Sequence, residues 1–168
     1  MTEPDYTFTR ADAADLPAIV AIYNSTIPSR RVTGEREPVS VESRRAWFES
    51  HQRPHRPIIA AKNNNGEVAA WASFNDFYAP HDYDIFAEIS IYVHENHRGS
   101  GLGAQLLQHM ESIAPELGIR SIMAMIFAHN PPSITLFERA GYTLWGRLPK
   151  VADMDGLLAD IVIYGKAL

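Results

Sequence analysis

The chain contains no cysteine, so it has neither disulfides nor a thiolate to serve as nucleophile or metal ligand. It has no apolar run of about 18 residues, which excludes a membrane-spanning helix, and its N-terminus lacks the charged-then-apolar pattern of a secretory signal. Positive charge is scarce. Fifteen Lys and Arg against 20 Asp and Glu leave a net charge of −5, the wrong sign for a nucleic-acid partner. The seven histidines show no ligand spacing with carboxylates on a common element, so no metal site is expected. What remains is ordinary for a globular protein, with 46% hydrophobic and 21% charged residues in 168. One domain over residues 1–168, in the cytoplasm, is the expectation.

Periodicity supplies the element order. Tyr6 to Thr9 alternates as a short strand, and Asp12 to Tyr23 repeats at helical spacing behind an Asp12 cap. Asn24 to Pro38 loses periodicity and reads as a long loop that shapes a substrate site. Val41 to Ser50 is a helix capped by Ser40, and Ile58–Lys62 and Val68–Phe74 flank an Asn-rich hairpin turn. A loop over Asn75–Asp84 precedes a central strand, Ile85 to Val93. After a glycine-dense turn the pattern reads helix (Gln105–Leu117), strand (Ser121–Phe127), helix (Pro131–Arg139) and two strands (Thr143–Val151, Leu158–Tyr164). The expected fold is α+β on a mixed sheet.

The glycine turn, Arg98-Gly99-Ser100-Gly101-Leu102-Gly103-Ala104, follows a strand and opens a helix. That order brings backbone N–H groups together at the positive end of a helix, and Arg98 adds forked donors at its mouth. It reads as a cradle for a phosphate, the alternative being a glycine-rich turn with a helix cap. A Walker loop is excluded because no Lys-Ser or Lys-Thr follows the glycines. A dinucleotide reading fits Gly99, Gly101 and Ala104, but the next strand ends in Ala128-His129-Asn130 without the acidic residue that would hold a ribose. The remaining reading is R-x-x-G-x-G, satisfied by Arg98, Gly101 and Gly103.

That motif resembles the pyrophosphate loop of the GNAT superfamily of N-acetyltransferases. Asn130-x-x-Ser133, with Leu136-Phe137-Glu138 ahead of Gly141-Tyr142, resembles the same family's second signature. Glu88-Ile89-Ser90-Ile91-Tyr92-Val93, followed by His97-Arg98-Gly99, is similar to the phosphinothricin and methionine sulfoximine N-acetyltransferase branch. The resemblance covers nearly the whole chain. It implies a mostly antiparallel seven-stranded sheet with about four helices, acetyl-CoA as co-substrate, a small amine as acceptor, and a homodimer.

It also implies site residues. The backbone of Ile91, Tyr92 and Val93 would pair with the pantetheine arm, with residues Arg98, Gly99, Ser100, Gly101, Leu102, Gly103 and Ala104 on the pyrophosphate. Asn130 and Ser133 would meet the arm from the next strand end, though Asn130 also reads as a helix cap. Glu88 would be the general base, a carboxylate whose pKa is raised by burial. Alternation by itself places it only on a strand face with Phe86, Ser90, Tyr92 and His94, which a solvated face would satisfy equally. Phe74, Asn75 and Tyr83 would line the acceptor pocket; with Pro80 in place of an arginine common in the branch, recognition of an acidic acceptor would fall to Arg30 or Arg31, or the preferred substrate differs. Phe74 and Tyr83 also read as core packing.

Two positions depart from the family pattern. Phe137 stands where many members carry a tyrosine that protonates the thiolate, which leaves water, Tyr92, His129 or no acid at all. Pro80 stands where phosphinothricin acetyltransferases carry an arginine. Two other functions fit the same motifs: acetylation of a protein N-terminus or an amine antibiotic, and a non-catalytic acyl-CoA-binding module.

Overall fold

Seven strands and four helices follow one another in the order that the apolar periodicity dictates. The computed structural model describes residues 5–168. The strands are β1 (Thr7–Arg10), β2 (Ile58–Lys62), β3 (Val68–Asp76), β4 (Phe86–Val93), β5 (Ser121–Phe127), β6 (Thr143–Met154) and β7 (Leu157–Ala167). The helices are α1 (Leu16–Thr26), α2 (Val41–Ser50), α3 (Leu102–Ile113) and α4 (Pro131–Arg139). They form one sheet, ordered β1-β2-β3-β4-β5-β7-β6, in which only β4 and β5 run parallel. Among the described residues no helix is long and apolar enough to cross a membrane.

Local chemistry explains where elements begin and end. Asp12 and Asp15 form a reciprocal capping box over a short 3-10 turn, and α1 continues from Leu16 through Thr26. It runs three residues past Tyr23 and shortens the expected loop. Ser40 accepts from the Ser43 N–H and starts α2 as expected. Pro115 ends α3 at Ile113 by removing an N–H donor, and a 3-10 turn carries the chain to Gly118. The last hairpin is longer than its periodicity suggested, because Asp155 (φ 57) and Gly156 (φ 92) make a two-residue turn that matches the strand twist.

Each face of the sheet buries its own core. On one, Phe74, Ala87 and Ile89 pack with Leu106, Leu107 and Met110 of α3 and Phe137 of α4. On the other, Ile58, Ala60 and Trp71 pack with Ile19, Ile22 and Tyr23 of α1 and Phe48 of α2. The Trp71 indole donates to the Ile19 carbonyl at 3.1 Å and pins α1 to the sheet. Successive residues of β3 and β4 therefore alternate between two interiors.

The glycines that open α3 differ in kind. Gly101 is the N-cap and sits at φ 83, a left-handed conformation that a side chain strains. Gly103 lies inside the helix, where an added methyl would meet Leu136 and Val93 at an ordinary 3.7 Å. Gly101→Ala is expected to lower stability by about 1–2 kcal/mol. Gly103→Ala should leave it unchanged or raise it by up to about 1 kcal/mol. Urea unfolding of the two variants measures the contrast.

Candidate active site

The site forms where two parallel strands part. β4 and β5 pair at Phe86↔Ser121, Ala87↔Ile122 and Glu88↔Met123, and no further. β5 stays paired with β7 through Phe127, while β4 stays paired with β3 through Val93. A wedge therefore opens between the C-terminal halves of β4 and β5. The phase of the ladder says which backbone groups face it. His94 donates to the Ala69 carbonyl at 2.8 Å, so alternation commits Tyr92, Ser90 and Glu88 to β3. The backbone groups of Ile91 and Val93 point the other way, into the wedge. The Val93 carbonyl takes a hydrogen bond from Arg98 Nε at 3.2 Å, which confirms that direction.

The glycine turn closes one end of the wedge. Gly99 and Gly101 both hold positive φ, and the first i→i−4 bond of α3 runs from Gln105 to Gly101 at 3.1 Å. The amides of Leu102, Gly103 and Ala104 thus have no acceptor within the helix. The Ser100 hydroxyl donates to the His97 carbonyl and tightens the turn. At the other wall, Asn130 caps α4 by accepting from the Ser133 N–H at 3.4 Å, and both residues line the opening. The result is a cleft of about 680 Å³, continuous from the glycine turn past Ile91–Val93 to Asn130 and Ser133. A smaller pocket of about 80 Å³ reaches between Ile89–Tyr92 and Ala124–Phe127. Free helix-start amides plus an open strand edge fit a diphosphate and the extended amide arm joined to it.

Glu88 stands at the last bridge before the strands part. Its carboxylate has no hydrogen-bond or ion-pair partner among the described residues. It is half-buried, and burial raises its pKa above the ordinary glutamate value. Along the same face run Ser90 and Tyr92, opposite Ser73 and Trp71 of β3, while Asn75 lies directly opposite Glu88. Tyr92 stacks on Trp71 at 4.6 Å and packs against Tyr23 at 5.3 Å. Burial is the largest cause of a pKa for its phenol well above the ordinary tyrosine range. That phenol is a weak acid here.

Several expected site residues fall elsewhere. Phe74 pairs with Ile89, not with the Glu88 row, so parity sends its fully buried ring into the core beneath α3. Tyr83 sits on a 3-10 turn, 40% exposed, packed against Phe77 and Tyr78 and outside both cavities. The Arg30 guanidinium is engaged with Asp155 and the Glu35 carbonyl, so it is not free for an acceptor. Tyr92 does line both cavities, but its amide pairs with β3 and is not free for an arm in the cleft. Arg31 does line the smaller pocket, beside Ser90 and Tyr92. Asn75 lies in the Glu88 row and hydrogen-bonds His51. His129, a candidate acid by sequence, is half-buried, and its Nε2 meets the Arg30 carbonyl at 2.8 Å. Phe137 is buried against Tyr142 and lines the smaller pocket with no proton to give. Sequence reasoning missed His51 and Val32. Both sit at places that only the closing of α2 and of the loop after α1 over β4 creates.

Comparison with known proteins places this geometry in a family. The model of the acetyltransferase (GNAT) family matches residues 19–142. YwnH of Bacillus subtilis is 52% identical over 158 residues, spanning 94% of this chain and 96% of its own length. An L-methionine sulfoximine/L-methionine sulfone acetyltransferase of Pseudomonas aeruginosa is 36% identical over 151 residues, 90% of this chain and 88% of that one. The crystal structure of a phosphinothricin acetyltransferase from Sinorhizobium meliloti in complex with AcCoA superposes with a TM-score of 0.90 at 28% identity. It covers 97% of this chain and 88% of the other. With its parted strands, its free helix-start amides and these relatives, the chain belongs to the GNAT family and is an acetyl-CoA-dependent N-acetyltransferase.

Proposed function

We propose that residues 1–168 form one catalytic domain that acetylates the α-amine of a small amino-acid-like compound, by direct attack with Glu88 as general base. One observation carries the reading: an unpaired, half-buried carboxylate stands where β4 and β5 part, three residues before Ile91, the first β4 residue to line the cleft. An amine near neutral pH is mostly an ammonium ion and needs a base of raised pKa to free its lone pair. Acetyl-CoA, held by Arg98 and the amides of residues 99–104, supplies the activated acyl carbon. Ile91 and Val93 bind its arm by backbone pairing, and the Val93 N–H is the free donor for the oxygen on which negative charge develops. Asn130 and Ser133 bound the arm from the other wall. A leaving thiolate with an ordinary pKa of about 8.5 departs without a dedicated acid, so Phe137 costs the reaction little.

Arg31 supports the choice of a free amino acid over a peptide. It lines the pocket beside Ser90 and has no ion-pair partner among the described residues, so it is the cation available for a substrate carboxylate. The names of the relatives, which act on methionine sulfoximine, methionine sulfone or phosphinothricin, fit that class of acceptor. Asn75 borders the same place. The β6–β7 hairpin supports a homodimer. It exposes Leu144, Trp145, Leu148, Val151, Leu157 and Leu158, and β6 is an unpaired sheet edge. A second copy of the chain is the occupant that hides both.

Glu88→Gln is expected to lower kcat by about 100-fold at neutral pH, with KM for acetyl-CoA unchanged. In the wild type, kcat/KM should rise with pH through the raised Glu88 pKa and then level off. Because the folded state holds that proton more tightly than the unfolded chain, Glu88→Gln should also gain stability relative to wild type as pH rises through the carboxylate range. Full turnover of Glu88→Gln would remove the base assignment. Arg31→Ala should raise KM for an amino-acid acceptor about tenfold and leave uncharged primary amines unaffected. Leu157→Glu combined with Leu144→Glu should convert a dimer into a monomer by light scattering; an unchanged mass would refute the interface.

A further inference from the structure

The loop after α1 is tied down at places remote in the chain. Past Thr26 a 3-10 turn, Ile27–Ser29, ends at Arg30, which stands at φ 57. That left-handed conformation strains a bulky side chain and persists only where surrounding contacts impose it. Two contacts do so here. The Arg30 carbonyl accepts from His129 Nε2 at 2.8 Å, and the Arg30 guanidinium is paired with Asp155. Asp155 gives its other oxygen to Arg36 at 3.2 Å, and a second Arg36 nitrogen donates to the Asp153 carbonyl at 3.4 Å. One carboxylate thus holds both ends of the segment 30–36.

What lies between those ends faces the opening. Arg31 and Val32 line the smaller pocket, opposite Ile89–Tyr92 of β4 and Ala124–Phe127 of β5. Val32 also lines the large cleft. The loop leaves α1 on the β4 side, where Tyr23 meets Tyr92, and is fastened to His129 just past β5. It therefore crosses the gap where these two strands part. Along the way the Thr33 hydroxyl lies 2.7 Å from the Tyr23 phenol and accepts from the Glu35 N–H at 3.2 Å. Asp155 itself sits on a tight turn, in which the Gly156 N–H donates to the Asp153 carboxylate at 2.7 Å.

We propose that Arg30, Arg36 and Asp155 are positioning residues: they latch this loop as a roof over the parted strands, and the roof restricts the acceptor to a single amino acid. That role rests on Arg31 as the partner of the acceptor carboxylate. A free amino acid ends at that carboxylate, beneath the roof. A peptide continues past the same point and needs an open groove where Arg31 and Val32 stand. None of the three latch side chains lines either cavity, so they act through the loop alone. The latch also holds Arg31 in place before the acceptor arrives, so less ordering is charged to binding.

Asp155→Asn and, separately, Arg30→Asn break the latch. Asparagine tolerates the left-handed backbone that both positions hold, so the turns survive. Hydrogen exchange read by mass spectrometry follows the loop directly. Amides of residues 31–36 should exchange about fivefold faster in either variant, the factor that one modest ion pair represents, with α1 unchanged. The kinetic arm compares L-methionine sulfone with the dipeptide it forms with glycine. In either variant KM for the amino acid should rise about fivefold, and the preference for it over the dipeptide should fall by at least that factor. The dissociation constant for acetyl-CoA should stay as in the wild type. Unchanged exchange over residues 31–36 overturns the latch, and an unchanged preference overturns the roof. Acetyl-CoA binding that weakens in step with the acceptor overturns both, because it reports general loosening. If Arg31→Ala leaves the amino-acid KM unmoved, or the wild type takes neither compound, the acceptor reading fails by itself and hydrogen exchange still decides the latch.

Discussion

The loss of pairing between β4 and β5 after Glu88↔Met123 is the constraint on which the site depends. A parallel pair buried in a sheet normally continues its ladder, because unpaired backbone groups in an interior are costly. Here both strands are held along their outer edges, β4 by β3 and β5 by β7, so parting them leaves two complete half-sheets. The amides of Ile91 and Val93 and the Ile91 carbonyl are left facing the opening, where an extended amide arm would find the pairing that the fold withholds.

The helix start and Glu88 are both left without partners, for related reasons. α3 presents amides that geometry leaves without acceptors, and left-handed glycines allow an anion to approach them. β4 turns Glu88 toward a face closed by α1 and α2, where burial raises its pKa and no cation compensates it. Charge placement follows the same division. Arg30 and Arg36 are bound to Asp155, and Arg53 and Arg56 to Asp76, so these four arginines tie segments of the fold together. Arg31 is left facing the pocket.

The acceptor side was the least legible part of the chain. Phe74 and Asn75 are adjacent in sequence, yet a pleat sends one beneath α3 and the other beneath α2. Which parity shares a face with Glu88 depends on the β3–β4 register, and register is a property of two strands, not one. Arg30 and Arg31 differ in the same way. Their neighbourhood includes a turn 125 residues away, at Asp155. His51 gave no signal at all, since a histidine at a helix end is common and its partner lies 24 residues on.

By itself the sequence determined the elements, their order and the glycine turn that opens α3, because these rest on short-range physics: capping side chains, helical and strand periodicity, and glycines where φ must be positive. Ser40, Pro115 and the Arg98–Ala104 run carry that information in a few residues each. Only the tertiary structure decided where the strands separate, which face receives Glu88, and which arginine stays free. Those outcomes depend on edges, parity and ion pairs between segments far apart in the chain, where the energy of one contact is set by what else has already packed.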